Sequence, residues 1–216
     1  LVDGFDISSS GELEAVIKAG ANPSGISFAG PGKTSEDLSN ALARGIGSIN
    51  IESESELLKL VELGEQKGIP PNVSIRINPN FELHGSGMKM GGGAKQFGID
   101  VELVPDILKK LDRLPVNFQG FHIYAGSQNL DAVAISLTFK KIFHTVEELS
   151  GCIDLDIPMI NFGGGFGIPY FAKDQPLDIK KIGHALHDMM PALKKCFPHT
   201  KFVTELGRYI SGECGI

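Results

Sequence analysis

Three consecutive glycines, Gly163–Gly165, follow directly on a short apolar run that begins at Met159. Glycine at the end of a strand lets the backbone approach a ligand closely and turn its N–H groups toward an anion. The pattern therefore indicates an anion site of the size of a phosphate group. A tight turn that binds nothing explains the same glycines equally well, so the surrounding residues must decide between the two.

Other residues with useful chemistry stand near the predicted carboxyl ends of strands, where parallel α/β folds place their sites. Ser127 offers a hydroxyl group to a phosphate, and Glu205 offers a carboxylate to a ring nitrogen. His122 and Tyr124 are rings that can lie on a flat ligand. The remaining candidates are Asp6, Arg76, Gly126, Gly207, Arg208 and Tyr209. This combination of groups suits pyridoxal phosphate.

Simpler interpretations of single residues stay open. Asp6 and Arg76 could form structural or solvated ion pairs, and His122 could be a core histidine with a satisfied hydrogen bond. Residues two apart on a strand share a face, so His122 and Tyr124 can both point inward. Of the two, Tyr124 would lie nearer the rim.

Composition and charge narrow the class of protein. The chain has 216 residues, with 20 Lys and Arg against 26 Asp and Glu, and it carries no basic block that would bind nucleic acid. No apolar run approaches the roughly 20 residues of a membrane span. Cys152, Cys196 and Cys214 are scattered and lack metal-ligand spacing, which argues against a disulfide framework and for a reducing cytoplasm.

Short β-rich runs alternate with amphipathic helical runs along the whole chain. Ser9 and Ser53 are typical helix N-caps, and Gly45 and Gly68 typical helix stops. The alternation predicts a parallel sheet with helical crossovers. The predicted strands are 5–8, 26–29, 48–51, 73–78, 117–124, 159–162 and 201–205. A closed barrel needs eight strands and an open doubly wound sheet could use these seven, so the count favours the barrel only slightly.

The stretch from Asn80 to Gly98 is long, irregular and rich in glycine. A loop of this length in a compact domain is either disordered or functional, and its functional form is a lid over a site. We expect this stretch to act as a lid.

Seven short motifs occur in an order that carries a family resemblance. The chain resembles the barrel domain of the pyridoxal-phosphate decarboxylases of the ornithine and diaminopimelate decarboxylase type, which have the alanine-racemase-like fold. The resemblance spans essentially the whole chain and implies one partial pyridoxal-phosphate-binding (β/α)8-type barrel domain over residues 1–216. The motifs are Gly4–Leu13, Phe28–Thr34, Ile75–Pro79, Gln96–Ile99, Gly126–Gln128, Gly163–Gly165 and Glu205–Tyr209.

The resemblance assigns roles to single residues. Glu205 would pair with the pyridine nitrogen and keep it protonated, which makes the ring a stronger electron sink. Tyr124 stands where the family has a stacking histidine, and His122 lies one same-face step earlier. Arg76 and Asp6 would flank the cofactor. The residues expected to bind the cofactor and its phosphate are Gly126, Ser127, Gly163, Gly164, Gly165, Gly207, Arg208 and Tyr209.

Two expected parts of such an enzyme do not occur in this sequence. The family holds its cofactor as a Schiff base to a lysine on the first barrel strand, and it continues into a β-domain that completes the site of a partner subunit. The resemblance therefore implies an incomplete barrel, with the first strand and the C-terminal β-domain absent. We expect the 216-residue chain alone to have little or no activity, and the full-length protein to be a homodimer.

The implied activity is decarboxylation of a small amino acid, free or linked to a carrier protein, through a Schiff base and a quinonoid intermediate. The run 85–93 and the segment 126–130 lean toward the subgroup of exopolysaccharide and antibiotic biosynthesis clusters. An amino-acid racemase of the same fold and a pyridoxal-phosphate-binding protein without catalysis are the alternatives. Glu205 argues against the racemase, because racemases place an arginine at the ring nitrogen.

Overall fold

The computed structural model describes residues 2–83, 85, 87–89, 91, 96–152 and 156–214. They form two compact units, each of which is made of two stretches of chain. Unit 1 comprises Leu1–Ile77 and Gln96–Phe121, and unit 2 comprises Asn78–Lys95 and His122–Ile216. The expectation of one barrel domain over residues 1–216 stays a prediction.

Strands and helices alternate along most of the chain. The strands are β1 (Phe5–Ile7), β2 (Ile26–Phe28), β3 (Ser48–Ile51), β4 (Asn72–Asn78), β5 (Met88–Lys89), β6 (Ile99–Asp100), β7 (Asn117–His122), β8 (Gly126–Ser127), β9 (Met159–Asn161) and β10 (Lys201–Val203). The helices are α1 (Ser10–Lys18), α2 (Ser35–Arg44), α3 (Glu54–Lys67), α4 (Val104–Leu111), α5 (Ala132–Ser150), α6 (Ile179–Cys196) and α7 (Gly207–Ser211).

In unit 1, β1 to β4 lie side by side in chain order and every neighbouring pair is parallel. Each parallel neighbour needs a crossover, and α1, α2 and α3 supply the three crossovers. Side chains from both faces of the strands are buried; Phe28, Ile49 and Ile75 are among the largest of them. A sheet covered on both faces explains why these strands are short apolar runs.

Helix caps fix where the crossovers of unit 1 begin and end. The Ser9 and Ser53 hydroxyls accept from the N–H groups of Glu12 and Glu56, as the sequence predicts. Gly45 and Gly68 close α2 and α3 in the left-handed conformation, with φ of 64° and 66°. These caps set the points at which the chain turns back to the next strand.

In unit 2, β9 and β10 are parallel, with Ile160 opposite Phe202. The core of this unit contains Ile160, Phe162 and apolar residues of α5 such as Phe139. The rings of Phe139 and Phe162 lie 5.2 Å apart between centroids. This packing holds the end of β9, where the glycine run begins.

Some boundaries differ from the sequence prediction. β7 ends at His122 rather than at residue 124, and β10 ends at Val203 rather than at residue 205. Beyond these ends the backbone still bonds to the neighbouring segment: the N–H of Ile123 donates to the carbonyl oxygen of Asn161, and that of Glu205 donates to the carbonyl oxygen of Gly163. The additional elements β5, β6, β8 and α7 are two to five residues long and too short to show a periodic pattern.

Part of the stretch 80–98 lies outside the described residues. Within the part that is described, β5 pairs antiparallel with β8, placing Met88 opposite Ser127. The stretch is thus joined to a predicted phosphate-binding residue, while its role as a lid stays a prediction. Among the described helices, none has the length and apolar character that crossing a membrane requires.

Candidate functional site

Glu205 lies two residues after β10 and is tied to the end of β9. Asn161 donates from Nδ2 to Glu205 Oε1 over 2.7 Å. The N–H of Glu205 donates to the carbonyl oxygen of Gly163 over 2.8 Å. Asn161 Oδ1 accepts from the N–H of Gly163 over 2.9 Å. Because β9 and β10 are adjacent parallel strands, these bonds join two strand ends into one rigid corner.

His122 approaches the same carboxylate from the end of β7. Its Nε2 lies 3.1 Å from Glu205 Oε1, which is ion-pair distance. The contact does not have the geometry of a hydrogen bond. Among the residues that the structure describes, neither ring nitrogen has a hydrogen-bond partner. The side chain is 1% exposed. The interaction is therefore an electrostatic approach of a buried imidazole to the carboxylate, and the role of His122 stays a prediction.

The glycines Gly163–Gly165 are required by close packing within the protein. Gly163 and Gly165 have φ of 67° and 91°, which disfavours any other residue. A Cβ on Gly163 would lie 2.5 Å from the carbonyl oxygen of Ile123, and one on Gly164 would overlap the carbonyl oxygen of Glu205. The N–H of Gly163 already serves Asn161. A ligand is not needed to explain these glycines, and their phosphate role stays a prediction.

Tyr124 lies beside the glycine run. A Cβ on Gly163 would come within 3.1 Å of Cδ2 of the Tyr124 ring, so the ring packs over the α-carbon of that glycine. Tyr124 is half-buried, whereas His122 is buried. The greater exposure of Tyr124 agrees with a position nearer the edge, and its stacking role stays a prediction.

Gln128 fixes the segment that carries Gly126 and Ser127. Its Nε2 donates to the carbonyl oxygen of Ile168 over 2.5 Å, and its Oε1 accepts from the N–H of Ile168 over 3.2 Å. It is also in the left-handed region with φ of 56°, a conformation that is uncommon for residues other than glycine. The sequence motif contains Gln128, but only the structure reveals that it holds the Ser127 segment against the residues after the glycine run.

The segment 207–209 opens α7. Arg208 hydrogen bonds to the Tyr170 hydroxyl, and its guanidinium lies 5.7 Å from the centroid of that ring. The Tyr209 ring lies 6.4 Å from the ring of Phe166, which follows the glycine run directly. A Cβ on Gly207 would meet no described atom within 4 Å. Gly207 therefore borders open space, unlike the glycines at 163–165.

Arg76 and Asp6 belong to unit 1, apart from the other candidates. Arg76 is 5% exposed, and its guanidinium donates to Glu52 Oε1 over 2.8 Å. It also stacks on the Phe97 ring at 5.0 Å from the centroid. Asp6 accepts from the Ser27 hydroxyl over 2.5 Å. Arg76 is thus engaged in a structural ion pair, and the expectation that both residues flank a cofactor stays a prediction.

The ion pair of Arg76 belongs to a larger buried cluster in unit 1, defined here as Lys33, Glu52, Glu56 and Arg76. Glu52 also accepts from the N–H groups of Gly30 and Gly98. Lys33 Nζ lies 3.1 Å from Glu56 Oε1. Burial raises the pKa of the Glu56 carboxyl, and Lys33 acts in the opposite direction. A cavity of about 610 Å³ borders the cluster.

The residues of unit 2 fit pyridoxal phosphate in three respects. Glu205 presents a carboxylate oriented by an amide, as a pyridine nitrogen requires. The buried His122 has ring nitrogens that the described residues leave unsatisfied. Gly207 borders open space into which a ligand can enter. The structure therefore brings together in one unit the candidates His122, Tyr124, Gly126, Ser127, Gly163, Gly164, Gly165, Glu205, Gly207, Arg208 and Tyr209.

The fold places the molecule in the class of α/β proteins whose parallel strands present a site at their carboxyl ends. Residues 3–212 match the family model described as the pyridoxal-binding domain of the pyridoxal-dependent decarboxylases. The chain belongs to this family. The expected fold class, a parallel pyridoxal-phosphate-binding α/β barrel domain, and the expected cofactor, pyridoxal phosphate, are thereby confirmed.

Similar proteins point in the same direction. The chain is 34% identical over 215 residues to the L-glutamyl-[BtrI acyl-carrier protein] decarboxylase of Niallia circulans, covering 99% of this chain and 50% of that protein. It is 32% identical to the diaminopimelate decarboxylase of Aquifex aeolicus, with 99% and 50% covered. The solved diaminopimelate decarboxylase of M. jannaschii superposes with a TM-score of 0.83 at 30% identity, covering 94% of this chain and 47% of that one. The chain spans about half the length of these relatives.

Proposed function

We propose that the full-length protein containing this chain is a pyridoxal-phosphate-dependent decarboxylase of a small amino acid. The observation that carries the proposal is the Glu205 carboxylate, which Asn161 orients at the carboxyl end of β10. A carboxylate at this point can hold a proton on a pyridine nitrogen. An arginine there, as the racemase alternative requires, would leave the nitrogen without that proton.

Bound pyridoxal phosphate supplies an electron-withdrawing ring that accepts the charge left on the substrate α-carbon when carbon dioxide departs. The protein's part in this chemistry falls to its own side chains. Glu205 would keep the ring nitrogen protonated, and Asn161 would fix the direction of the carboxylate. Tyr124 would cover one face of the ring, with His122 supporting Glu205 from the interior. Such preorganised groups lower the barrier because they need no rearrangement during the reaction.

The phosphate would be held on the other side of the same unit. We assign this role to the Ser127 hydroxyl and the N–H groups of Gly164, Gly165, Gly126 and Gly207, helped by Arg208 and Tyr209, with Gly163 shaping the loop through its bond to Asn161. The support is their contact network: Gln128 holds the Ser127 segment, and Tyr170 orients Arg208. In unit 1, Arg76 and Asp6 would flank the cofactor.

The substrate is proposed to be either a free amino acid of the diaminopimelate or ornithine kind or an amino acid linked to a carrier protein. The relative in Niallia circulans is named for a carrier-linked glutamyl group, and that in Aquifex aeolicus for diaminopimelate. We further propose a cytoplasmic homodimer. The three cysteines are free and exposed, as expected of a reducing compartment.

The test uses the full-length protein loaded with pyridoxal phosphate and measures carbon dioxide release from free diaminopimelate, ornithine and carrier-linked glutamate. Glu205→Gln keeps the shape of the side chain and removes its charge, and we expect kcat to fall by about 10²–10³-fold. Glu148→Gln, at an exposed position on α5, is the matched control and should keep wild-type kcat. Racemisation without carbon dioxide release by the wild type, or a Glu205→Gln variant of unchanged kcat, would refute the proposal.

A further inference from the structure

Asn161 is the residue at which the two functional ends of the candidate site meet. Asn161 is buried, with 2% of its surface exposed. The nitrogen and the oxygen of its side-chain amide each make one hydrogen bond. Nδ2 donates to the carboxylate of Glu205, and Oδ1 accepts from the N–H of Gly163. One planar group therefore touches both the carboxylate proposed for the ring nitrogen and the loop proposed for the phosphate.

The orientation of this amide is determined by its neighbours. With the amide reversed, its oxygen would face the carboxylate oxygen of Glu205, and its NH₂ group would face the N–H of Gly163. Both contacts would then be repulsive, because a carboxylate only accepts and a backbone N–H only donates. Asparagine is suited to this position because it carries a donor and an acceptor on one short, rigid group.

The surroundings allow Asn161 little freedom to move. It ends β9, opposite Val203 of β10. Its own carbonyl oxygen accepts from the N–H of Ile123 over 3.0 Å. The side chain is thus mounted on paired strands rather than on a loop, which is the arrangement that holds functional groups most accurately.

We propose that Asn161 is a positioning residue that sets the separation between the Glu205 carboxylate and the glycine run. The inference rests on the proposed function, because it takes Glu205 as the partner of the ring nitrogen and the glycine run as part of the phosphate site. Pyridoxal phosphate is a rigid ring with its phosphate on a short arm, so both ends bind well only when their protein partners are correctly spaced. Small errors in such spacing weaken binding strongly.

Two variants separate the two bonds of the amide. Asn161→Asp keeps an acceptor for the N–H of Gly163 and removes the donor to Glu205. Asn161→Leu removes both. The new carboxylate of Asn161→Asp would lie against Glu205, with His122 on the same oxygen and Tyr124 nearby. Two carboxylates in direct contact cannot both stay ionised without a cost in free energy. The part of the site that would bind the pyridine ring is therefore disturbed.

Binding is measured by calorimetry on the full-length protein freed of cofactor, with pyridoxine phosphate and pyridoxine as probes. Both carry an alcohol in place of the aldehyde, so neither can bond covalently to a lysine. The Kd of pyridoxine divided by the Kd of pyridoxine phosphate reports on the phosphate end alone. We expect Asn161→Asp to weaken the binding of both probes about tenfold and to leave this ratio within about twofold of its wild-type value. Asn161→Leu should lower the ratio about fivefold.

A stability measurement in the absence of any ligand tests the same contact independently. Adding Glu205→Gln to Asn161→Asp restores a donor and acceptor pair with its direction reversed, so the double variant should recover at least half of the midpoint urea concentration lost by Asn161→Asp. An unchanged Kd ratio in Asn161→Leu, or no recovery in the double variant, would overturn the inference. If the wild type binds neither probe, the proposed function fails, while the recovery experiment still decides the role of Asn161.

Discussion

Glu52 in unit 1 and Glu205 in unit 2 are both carboxylates that follow a strand of a parallel pair, yet their partners differ in charge. Glu52 accepts from the guanidinium of Arg76 and from two backbone N–H groups, with Lys33 nearby at 4.0 Å. Glu205 lies against the neutral amide of Asn161 and the imidazole of His122. The first carboxylate is neutralised by fixed cations inside the protein. The second is positioned by polar side chains from other strand ends, and its pairing with a protonated pyridine nitrogen is part of the proposed function.

The largest effect should come from neutralising the carboxylate of unit 1. Glu52→Gln would leave Arg76 buried without its counter-ion, while Lys33 keeps Glu56, so we expect a loss of about 3–5 kcal/mol in the free energy of unfolding. Urea unfolding of the full-length protein, followed by circular dichroism, measures it. Glu62→Gln, at an exposed position on α3, should change the value by less than about 0.5 kcal/mol. A loss below about 1 kcal/mol for Glu52→Gln would show that the ion pairs of Glu52 do not stabilise the fold, contrary to the comparison with Glu205.

An intermediate effect is expected where unit 2 depends on close packing instead of charge. In Gly164→Ala the added methyl group would overlap the carbonyl oxygen of Glu205, and φ at this glycine is not in the left-handed region. We expect a loss of about 2 kcal/mol, from overpacking alone. Gly207→Ala is the matched comparison because its methyl group enters open space. It should keep the free energy of unfolding or raise it by at most about 1 kcal/mol, and we expect it to weaken cofactor binding. Equal stability of the two variants would contradict the packing model.

The smallest expected effect is a change of stability with pH that arises in the charged cluster. Burial raises the pKa of Glu56 above its ordinary value of 4.5, so its stabilising contribution is present at lower pH and declines as the pH rises through the folded-state pKa. The stability of the wild type relative to Glu56→Gln should therefore fall as the pH rises from 4.5 through the folded-state pKa. Urea unfolding across that range measures the difference. A difference that grows with pH would show that Lys33 outweighs burial.

The parallel α/β fold could be predicted from the sequence because its signals are local and repeated. Serine caps, glycine stops and short apolar runs recur along unit 1, and β3 was placed correctly at both ends, Ser48 and Ile51. β5 and β8 could not be predicted, because a two-residue strand exists only through its pairing with a segment far away in sequence.

The grouping of several candidate residues in one unit was predictable from the sequence, while their roles stay predictions. Parallel topology brings strand ends together, so a carboxylate at 205 and a histidine at 122 could be expected to meet, and they do. The roles of Asn161 and Gln128 could not be foreseen, because each depends on a hydrogen bond between residues about 40 positions apart. Nor does the sequence reveal that Glu52 is the partner of Arg76.

The route of the chain through the two units limits how the molecule can be dissected. The backbone passes from unit 1 to unit 2 after Ile77, returns at Gln96 and leaves again after Phe121. A single cleavage therefore cannot give either unit alone: a cut after Phe121 leaves unit 1 with residues 78–95 of unit 2 attached, and a cut after Ile77 leaves unit 2 with residues 96–121 of unit 1 attached. Because the two units alternate along the chain, isolating the charged cluster of unit 1 from the candidate residues of unit 2 calls for a linker in place of an internal segment as well as a truncation.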